Sequence, residues 1–468
     1  MKNNRRDFLK TTGLAGLGIA GIGSLDAHGK EFKDDVFEPG KNQTFNMCGY
    51  AAPKLETVRI GFIGLGNRGP GAVERINKIE GVQIKALCDI RPEKVNAVKK
   101  SLEGTAHNPD VYTGKEEEWK KLCDRPDIDL VYIATPWSLH APMALYAMNQ
   151  GKHTCIEVPA AKTLDECWQL VETSEKTRKH CMILENCCYD FFELLTLNMS
   201  RQGLLGEIVH GEGAYNHDLL RQNFEKTSYY NMWRLKENFR NGNLYPTHGL
   251  GPVAQVLNIN RGDRMDYLVA TSSNDFSMSV LAKELAAKDD FYKEYATKSY
   301  RGNLNVTTIR TEKGKTIMLQ HDVSSPNIYS RIFKISGTKG SVIKYPDPAR
   351  IAFGDEDWIK EEEFKKLEEQ YQPPIVKRVG ELAKQVGGHG GMDFLMDWRT
   401  IDCLRNGLPL DLDVYDAATW SAVAPLSEQS VANRSKSIDV PDFTRGSYKT
   451  NKPVDISLQT GGNTKVKL

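Results

Sequence analysis

The sequence predicts an α/β chain in two parts: an N-terminal parallel sheet with crossover helices, then an α+β domain on a mostly antiparallel open sheet. Three observations carry this. Between residues 58 and 185, short β-branched runs alternate with helix-spaced apolar residues, the pattern of right-handed crossovers. Beyond residue 186, strand-like runs follow one another with only turn residues between them, which favours antiparallel pairing. The length of 468 residues leaves room for more than one domain. Charged residues at 26% and hydrophobic residues at 40% are the balance of a globular protein. A net charge of +1 offers no footprint for nucleic acid.

The chain opens with Arg5-Arg6, Phe8-Leu9-Lys10 and a glycine-rich apolar run from Thr11 to about Leu25. This resembles a twin-arginine export signal. The run is shorter and richer in glycine than the roughly 20 apolar residues of a membrane span, so no permanent span is expected. The expected layout is a signal over residues 1–27, cleaved after Ala27, and an N-terminal arm over 28–53. The twin-arginine export machinery then becomes a partner and the periplasm the destination. That route carries folded proteins, so a cofactor bound inside the fold travels with it. Nine cysteines without a C-x-x-C fit buried thiols rather than a disulfide framework. The ten histidines show no zinc-site spacing, and no metal is expected.

The first domain spans residues 54–185. Val58 to Ile63 is a strand by alternation, and it runs into Gly64-Leu65-Gly66-Asn67-Arg68-Gly69. Apolar Ala72, Val73, Ile76 and Ile79 continue as a helix. Gly64 permits the tight turn, Gly66 lets the backbone approach a pyrophosphate, and Gly69 lets helix and strand pack closely. The helix N-terminus stabilises the phosphate charge. A second strand, Val82 to Cys88, ends in Asp89, about 20 residues past Gly69, where an acid meets the adenosine ribose. This is a Rossmann dinucleotide site. Asp89 repels a 2′-phosphate, so NAD is favoured over NADP; Arg91, two residues on, counts the other way.

The alternation continues through strands at 129–134, 154–157 and 182–185, with helices over 142–150 and 164–179. Ligands of such sheets sit at the strands' carboxyl ends. Trp137, His140, Glu157 and Asn186 all fall there. In the second domain, residues 186–445, strands are expected at 207–214, 267–271, 305–310, 316–321 and 331–335. One open face of that sheet would suit a contact between subunits of a homo-oligomer. Glu361 to Glu369 is a solvated charged helix, Gly387 to Gly391 a flexible loop, and 392–405 and 417–432 amphipathic helices. The polar tail, 446–468, is expected to wrap a neighbour or stay mobile.

Ala134-Thr135-Pro136-Trp137-Ser138-Leu139-His140, Gly151-Lys152-His153 and Glu157-Val158-Pro159 resemble the Gfo/Idh/MocA family of NAD(P)-dependent sugar oxidoreductases. In that family a lysine usually follows the glutamate and assists hydride transfer. Val158 stands in its place and can neither donate a proton nor polarise an alkoxide, which counts against a plain sugar dehydrogenase. Asn231-Met232-Trp233-Arg234, Gly242 to Pro252 and Asn327-Ile328-Tyr329-Ser330-Arg331 resemble glycoside hydrolase family 109, which includes exported NAD-dependent α-N-acetylgalactosaminidases. The resemblance covers the signal and nearly all of residues 54–445. It implies NAD contacts at Asn67, Arg68, Asp89, Trp137, His140, Glu157, Val158, Asn186 and Tyr245. It implies substrate contacts at Tyr215, Arg234, Tyr245, Pro246, Thr247, His248 and Tyr329, with a terminal N-acetylgalactosamine as ligand.

Ordinary glycosidases flank the bond with two carboxylates, and no diagnostic pair stands out here. The resemblance implies another route: oxidation at C3, loss of the acidified C2 proton, elimination at C1, addition of water and return of the hydride. NAD is regenerated, which suits a protein outside the cytoplasm and its NAD pool. By chemical type, His248 suits proton transfer at the C3 hydroxyl. Tyr329 suits the C2 proton if positive charge from NAD or Arg331 lowers its pKa. Tyr245 would position nicotinamide and sugar, and Glu157 would assist the proton transfers. The competing expectations are an NAD(P)-dependent sugar oxidoreductase and a sugar-binding protein retaining NAD as a relic.

Overall fold

The computed structural model describes residues 38–354 and 356–468; the export signal expected over residues 1–27 and the first part of the expected arm lie outside them. Six parallel strands form the first sheet: β1 (Val58–Ile63), β2 (Val82–Cys88), β3 (Asp110–Tyr112), β4 (Leu130–Ile133), β5 (His153–Ile156) and β6 (Cys181–Ile183). Their order is β3-β2-β1-β4-β5-β6. Every residue of β4, β5 and β6 is buried, because helices cover both faces, and so β4 and β6 read as continuous apolar runs. Burying a side chain such as Ile60 or Ile133 contributes on the order of 1.5–3 kcal/mol. Strand order reverses between β1 and β4, which opens a crevice at their carboxyl ends. The short β3, with two exposed residues, is too brief and polar to show in the sequence pattern.

The second sheet has eight strands: β7 (Ile208–Asn216), β8 (Met265–Ser272), β9 (Leu304–Thr311), β10 (Thr316–Asp322), β11 (Lys334–Gly337), β12 (Ser341–Ile343), β13 (Arg350–Ala352) and β14 (Ile438–Asp439). The order is β13-β12-β11-β7-β10-β9-β8-β14. β7 and β10 run parallel and the other neighbouring pairs antiparallel, as the sequence predicts. The helix Thr247–Val256 lies against β7 at a pair of glycines. A Cβ on Gly213 would fall 2.3 Å from Gly249 O, and one on Gly249 would fall 2.4 Å from Ala214 N. This close approach sets His248 beside Tyr215.

Three expectations need correction. The strand expected from Arg331 begins at Lys334, because Ile332 and Phe333 take φ of 59° and 42° and turn the chain out of the sheet. The helix Val414–Ala432, buried throughout from Val414 to Ala424, is not amphipathic, and neither is Met392–Asn406: Met392 to Leu404 are all buried. Its charges are paired inside, with Asp397 2.8 Å from Arg75 Nε and Arg399 Nε 3.1 Å from Asp411. A charged sequence pattern therefore concealed a core helix. The tail, expected to wrap a neighbour or stay mobile, packs in part on its own chain. Trp398 Nε1 donates to Thr464 O at 3.0 Å, and Val466 bridges Ile79 antiparallel. The described part of the arm packs likewise, with Met47 buried and Thr44 N–H donating to Glu175 at 3.0 Å. All nine cysteines are free thiols, eight of them buried. Among the described residues no helix is long and apolar enough to cross a membrane.

Candidate active site

At the end of β1 the chain turns at Gly64 with φ of 92°, and a Cβ there would lie 2.5 Å from Ala134 O. A Cβ on Gly69 would lie 2.0 Å from Gly64 O, so neither position admits a larger residue. Gly66 is different. Its nearest neighbour would be Arg91 Nη2 at 3.4 Å, which leaves room for a phosphate against the backbone. The helix Gly69–Asn77 starts here without a side-chain cap, so its first N–H groups are free for an anion. Asp89 accepts Leu65 N–H at 2.8 Å and Arg91 Nε at 3.0 Å. Arg91 is thus folded back onto Asp89, its charge matched there rather than offered to a 2′-phosphate. These residues fit NAD.

A cavity of about 630 Å³ runs from this turn to Tyr215, Arg234 and Tyr245 of the second domain. Tyr245 stacks on Trp137, with centroids 5.4 Å apart and planes 15° apart. The Arg234 guanidinium lies over both rings and over Tyr229, at 5.6, 5.2 and 5.5 Å. A cation caged by aromatic faces is held in place without losing its outward donors. Burial pushes the Tyr245 hydroxyl well above the ordinary phenol range.

Behind this layer stands a tighter cluster. Tyr215 lies 4.7 Å from Tyr245, 5.6 Å from His248 and 6.2 Å from Tyr329, centroid to centroid. Its hydroxyl is 3.1 Å from His217 Nδ1. His248 Nδ1 is 2.7 Å from Oε1 of Glu185, a carboxylate with 0% exposure. Burial alone would raise that carboxyl, but electrostatic attraction and the hydrogen bond from His248 hold it below its usual range. Glu185, Cys187 and His248 have ligand-type atoms within 4.8 Å of one another. Two ligands of one tetrahedral zinc would sit about 3.3 Å apart, so the 2.7 Å contact is that of a hydrogen bond. Burial also pushes the Cys187 thiol far up.

Tyr329 departs from expectation. Burial, reinforced by Cys187, raises its hydroxyl well above the phenol range, and Arg331 offsets this only in part. Arg331 is engaged elsewhere: its Nη2 donates to Asp190 at 3.0 Å and to Glu193 at 2.6 Å, while Nη1 is 3.5 Å from the Tyr329 oxygen. His140 offers the cavity no free nitrogen. Its Nδ1 and Nε2 lie 2.7 and 2.8 Å from Pro159 O and Thr135 O, bracing the two loops that follow β4 and β5. Glu157 accepts Arg68 Nε at 3.0 Å. Arg68 also pairs with Asp393 at 3.2 Å, and Asp393 accepts Asn186 Nδ2 and lies 2.9 Å from His389 Nδ1. The Gly387 to Gly391 loop therefore borders the site through Arg68.

Comparison with known proteins decides the family. Residues 58–185 match the model of an oxidoreductase family with an NAD-binding Rossmann fold, and residues 189–450 that of the glycosyl hydrolase 109 C-terminal domain. Glycosyl hydrolase family 109 protein 1 of Bacteroides fragilis is 49% identical over 425 residues, 87% of this chain and 89% of that protein. Its counterpart in Bacteroides thetaiotaomicron is 51% identical over 414 residues, 85% and 86% of the two chains. The chain belongs to glycosyl hydrolase family 109. A levoglucosan dehydrogenase solved with NADH shares the fold, with a TM-score of 0.61 at 18% identity over 82% of this chain and all of that one. This family 109 chain thus joins a glycosidase C-terminal domain to an NAD-binding Rossmann domain.

The family 109 residues named from sequence fall into two groups. Gly64, Gly66, Asn67, Arg68, Asp89, Trp137, His140, Glu157, Val158, Tyr215, Arg234 and Tyr245 line the shared cavity. Gly69, Asn186, Pro246, Thr247, His248 and Tyr329 stand behind or beside it. Pro246 is the helix N-cap and Thr247 has 0% exposure, so both support the aromatic layer from within. Sequence reasoning missed Glu185 and His217. His217 follows Tyr215 by the strand period, which puts both on one face. Glu185 sits at a strand's carboxyl end as Glu157 does, and that position was its signal.

Proposed function

We propose that this family 109 glycosidase is exported and hydrolyses terminal α-N-acetylgalactosaminides with NAD regenerated in each turnover. One observation carries the reading. Of the carboxylates lining the cavity among the described residues, Asp89 is held by Arg91 and Glu157 by Arg68, and Glu116 lies with Asp89 and Arg91. No free pair stands ready to flank a glycosidic bond, whereas an NAD cradle opens into the same space.

Bound NAD supplies a hydride acceptor and donor for the sugar C3 carbinol and leaves the cycle in its starting form. His248 exchanges the proton of the C3 hydroxyl. Arg234 and Tyr215 hold the sugar, and Tyr245 stacked on Trp137 would wall the sugar beside bound NAD. Tyr329, which burial keeps protonated, is a hydrogen-bond donor in the resting chain; taking the C2 proton requires positive charge to offset that burial. Val158 keeps the position after Glu157 apolar, so no lysine competes for the alkoxide. Export rests on Arg5-Arg6 and the apolar run behind them; a self-regenerating cofactor needs no pool at the destination.

The test is hydrolysis of an aryl α-N-acetylgalactosaminide in D2O by purified protein without added NAD. Aryl release with deuterium at sugar C2 is the expected outcome. Cleavage without C2 exchange would remove the elimination route, and accumulation of a 3-keto sugar would point to an oxidoreductase instead.

A further inference from the structure

We propose that Glu185 is the positioning residue for His248, holding the imidazole with its proton on Nδ1 and leaving Nε2 as the acceptor that meets the substrate hydroxyl. This deepens the glycosidase reading above and rests on it for the identity of that hydroxyl. Three observations carry it.

The first is the contact itself. Glu185 Oε1 accepts Cys187 N–H at 3.1 Å and lies 2.7 Å from His248 Nδ1. An ionised carboxylate has no proton to give, so Nδ1 must be the donor and the neutral ring is left with a lone pair on Nε2. Among the described residues Nε2 makes no hydrogen bond that would compete.

The second is burial. Glu185 has 0% exposure, and a buried carboxylate persists only where charge or hydrogen bonds compensate for lost water. The side chain is also fixed from behind: a Cβ on Gly251 would come 2.8 Å from Glu185 Cγ. Only a glycine on that turn of the helix Thr247–Val256 leaves room for the carboxylate.

The third is the cage around the ring. Tyr245 and Tyr215 flank the imidazole at 4.9 and 5.6 Å, and its Cα is set by the Gly213–Gly249 approach. The ionisable groups facing it are Glu185 and Cys187 after β6, Tyr215 and His217 at the end of β7, and Tyr245. Glu185 alone among them presents a carboxylate. When the hydroxyl O–H breaks and the proton joins Nε2, the ring becomes a cation 2.7 Å from a negative charge. Returning the proton restores the pair.

The test uses the NAD-loaded protein with histidine nitrogens labelled, the His248 signals being assigned by their loss in His248→Asn. Nitrogen chemical shifts report the tautomer whether or not the protein turns over. In the wild type the proton is expected on Nδ1; finding it on Nε2 overturns the proposal without any variant. In Glu185→Gln the Nδ1–H population should fall, and kcat on the aryl glycoside should drop about 10²–10⁴-fold. KM should change less than about 3-fold, because binding groups are untouched. Glu185→Asp, which keeps the charge, should recover part of kcat. An unchanged tautomer with kcat within about 3-fold of wild type overturns the proposal. A wild type that cleaves no aryl glycoside defeats the glycosidase reading instead, and the tautomer measurement still decides the part played by Glu185.

Discussion

The cradle at the end of β1 and the cluster around His248 are built on opposite plans. The cradle is backbone: Gly64, Gly66 and Gly69 shape it, and Asp89 closes it from the next strand. Its parts lie within one short stretch of chain. The cluster is side chain: Glu185, Tyr215, Tyr245 with His248, and Tyr329 arrive from four segments and are held by buried charge and ring packing. Such a backbone site tolerates no added carbon at Gly64 or Gly69. A side-chain site tolerates small changes of shape but not the loss of a charge.

That difference is open to attack at both ends. The largest effect is expected from Gly69→Val, whose Cβ would lie 2.0 Å from Gly64 O. Overpacking of this kind costs about 1–3 kcal/mol or more, and NAD binding should vanish with the turn; calorimetry and bound-nucleotide content would show both. Next is His248→Ala, which should lower kcat about 10²–10⁴-fold while bound NAD, read by nicotinamide fluorescence on reduction, stays at wild-type level. If NAD is lost as well, the two regions are not separable.

A pH effect follows from the buried acids behind Tyr329. Burial and the Asp190 charge push Glu193 up to about 7, above the unfolded carboxyl near 4.3. The folded state therefore binds more protons than the unfolded state in this window, and Glu193's contribution to stability falls as pH rises from about 4.3 to about 7. Denaturant titrations should show Glu193→Gln with a flatter slope across that window than wild type. An identical slope would mean that Arg331 and Lys344 keep Glu193 ionised throughout. The smallest effect is expected at Arg91→Ala. Its pair with Asp89 is partly exposed, and such pairs contribute about 0–1 kcal/mol, so NAD affinity by titration should move less than about 5-fold.

The same contrast governs what the sequence revealed. The cradle was legible because its signals are local: a strand, three spaced glycines, a helix and an acid at the next strand's end. The two-sheet architecture was legible from the change in periodicity near residue 186. The cluster became legible only through resemblance, since no local rule brings Tyr215, His248 and Tyr329 together. Glu185 stayed hidden because it reads as one more residue of a strand, and its meaning appears only when Nδ1 of a distant histidine lies 2.7 Å away. The helix Met392–Asn406 misled for a related reason. Asp397 and Arg399 look like a solvent face until Arg75 and Asp411 arrive to pair with them.

The central claim is that cradle and cluster act as one site, with NAD as a recycled group. Its most direct measurement is turnover of an aryl α-N-acetylgalactosaminide by protein of known bound-NAD content, with no nucleotide added. Aryl release should continue for many turnovers, the NAD content should be unchanged at the end, and protein stripped of NAD should be inactive until NAD is restored. Release that stops at one equivalent, or that proceeds equally well in the stripped protein, would contradict the account.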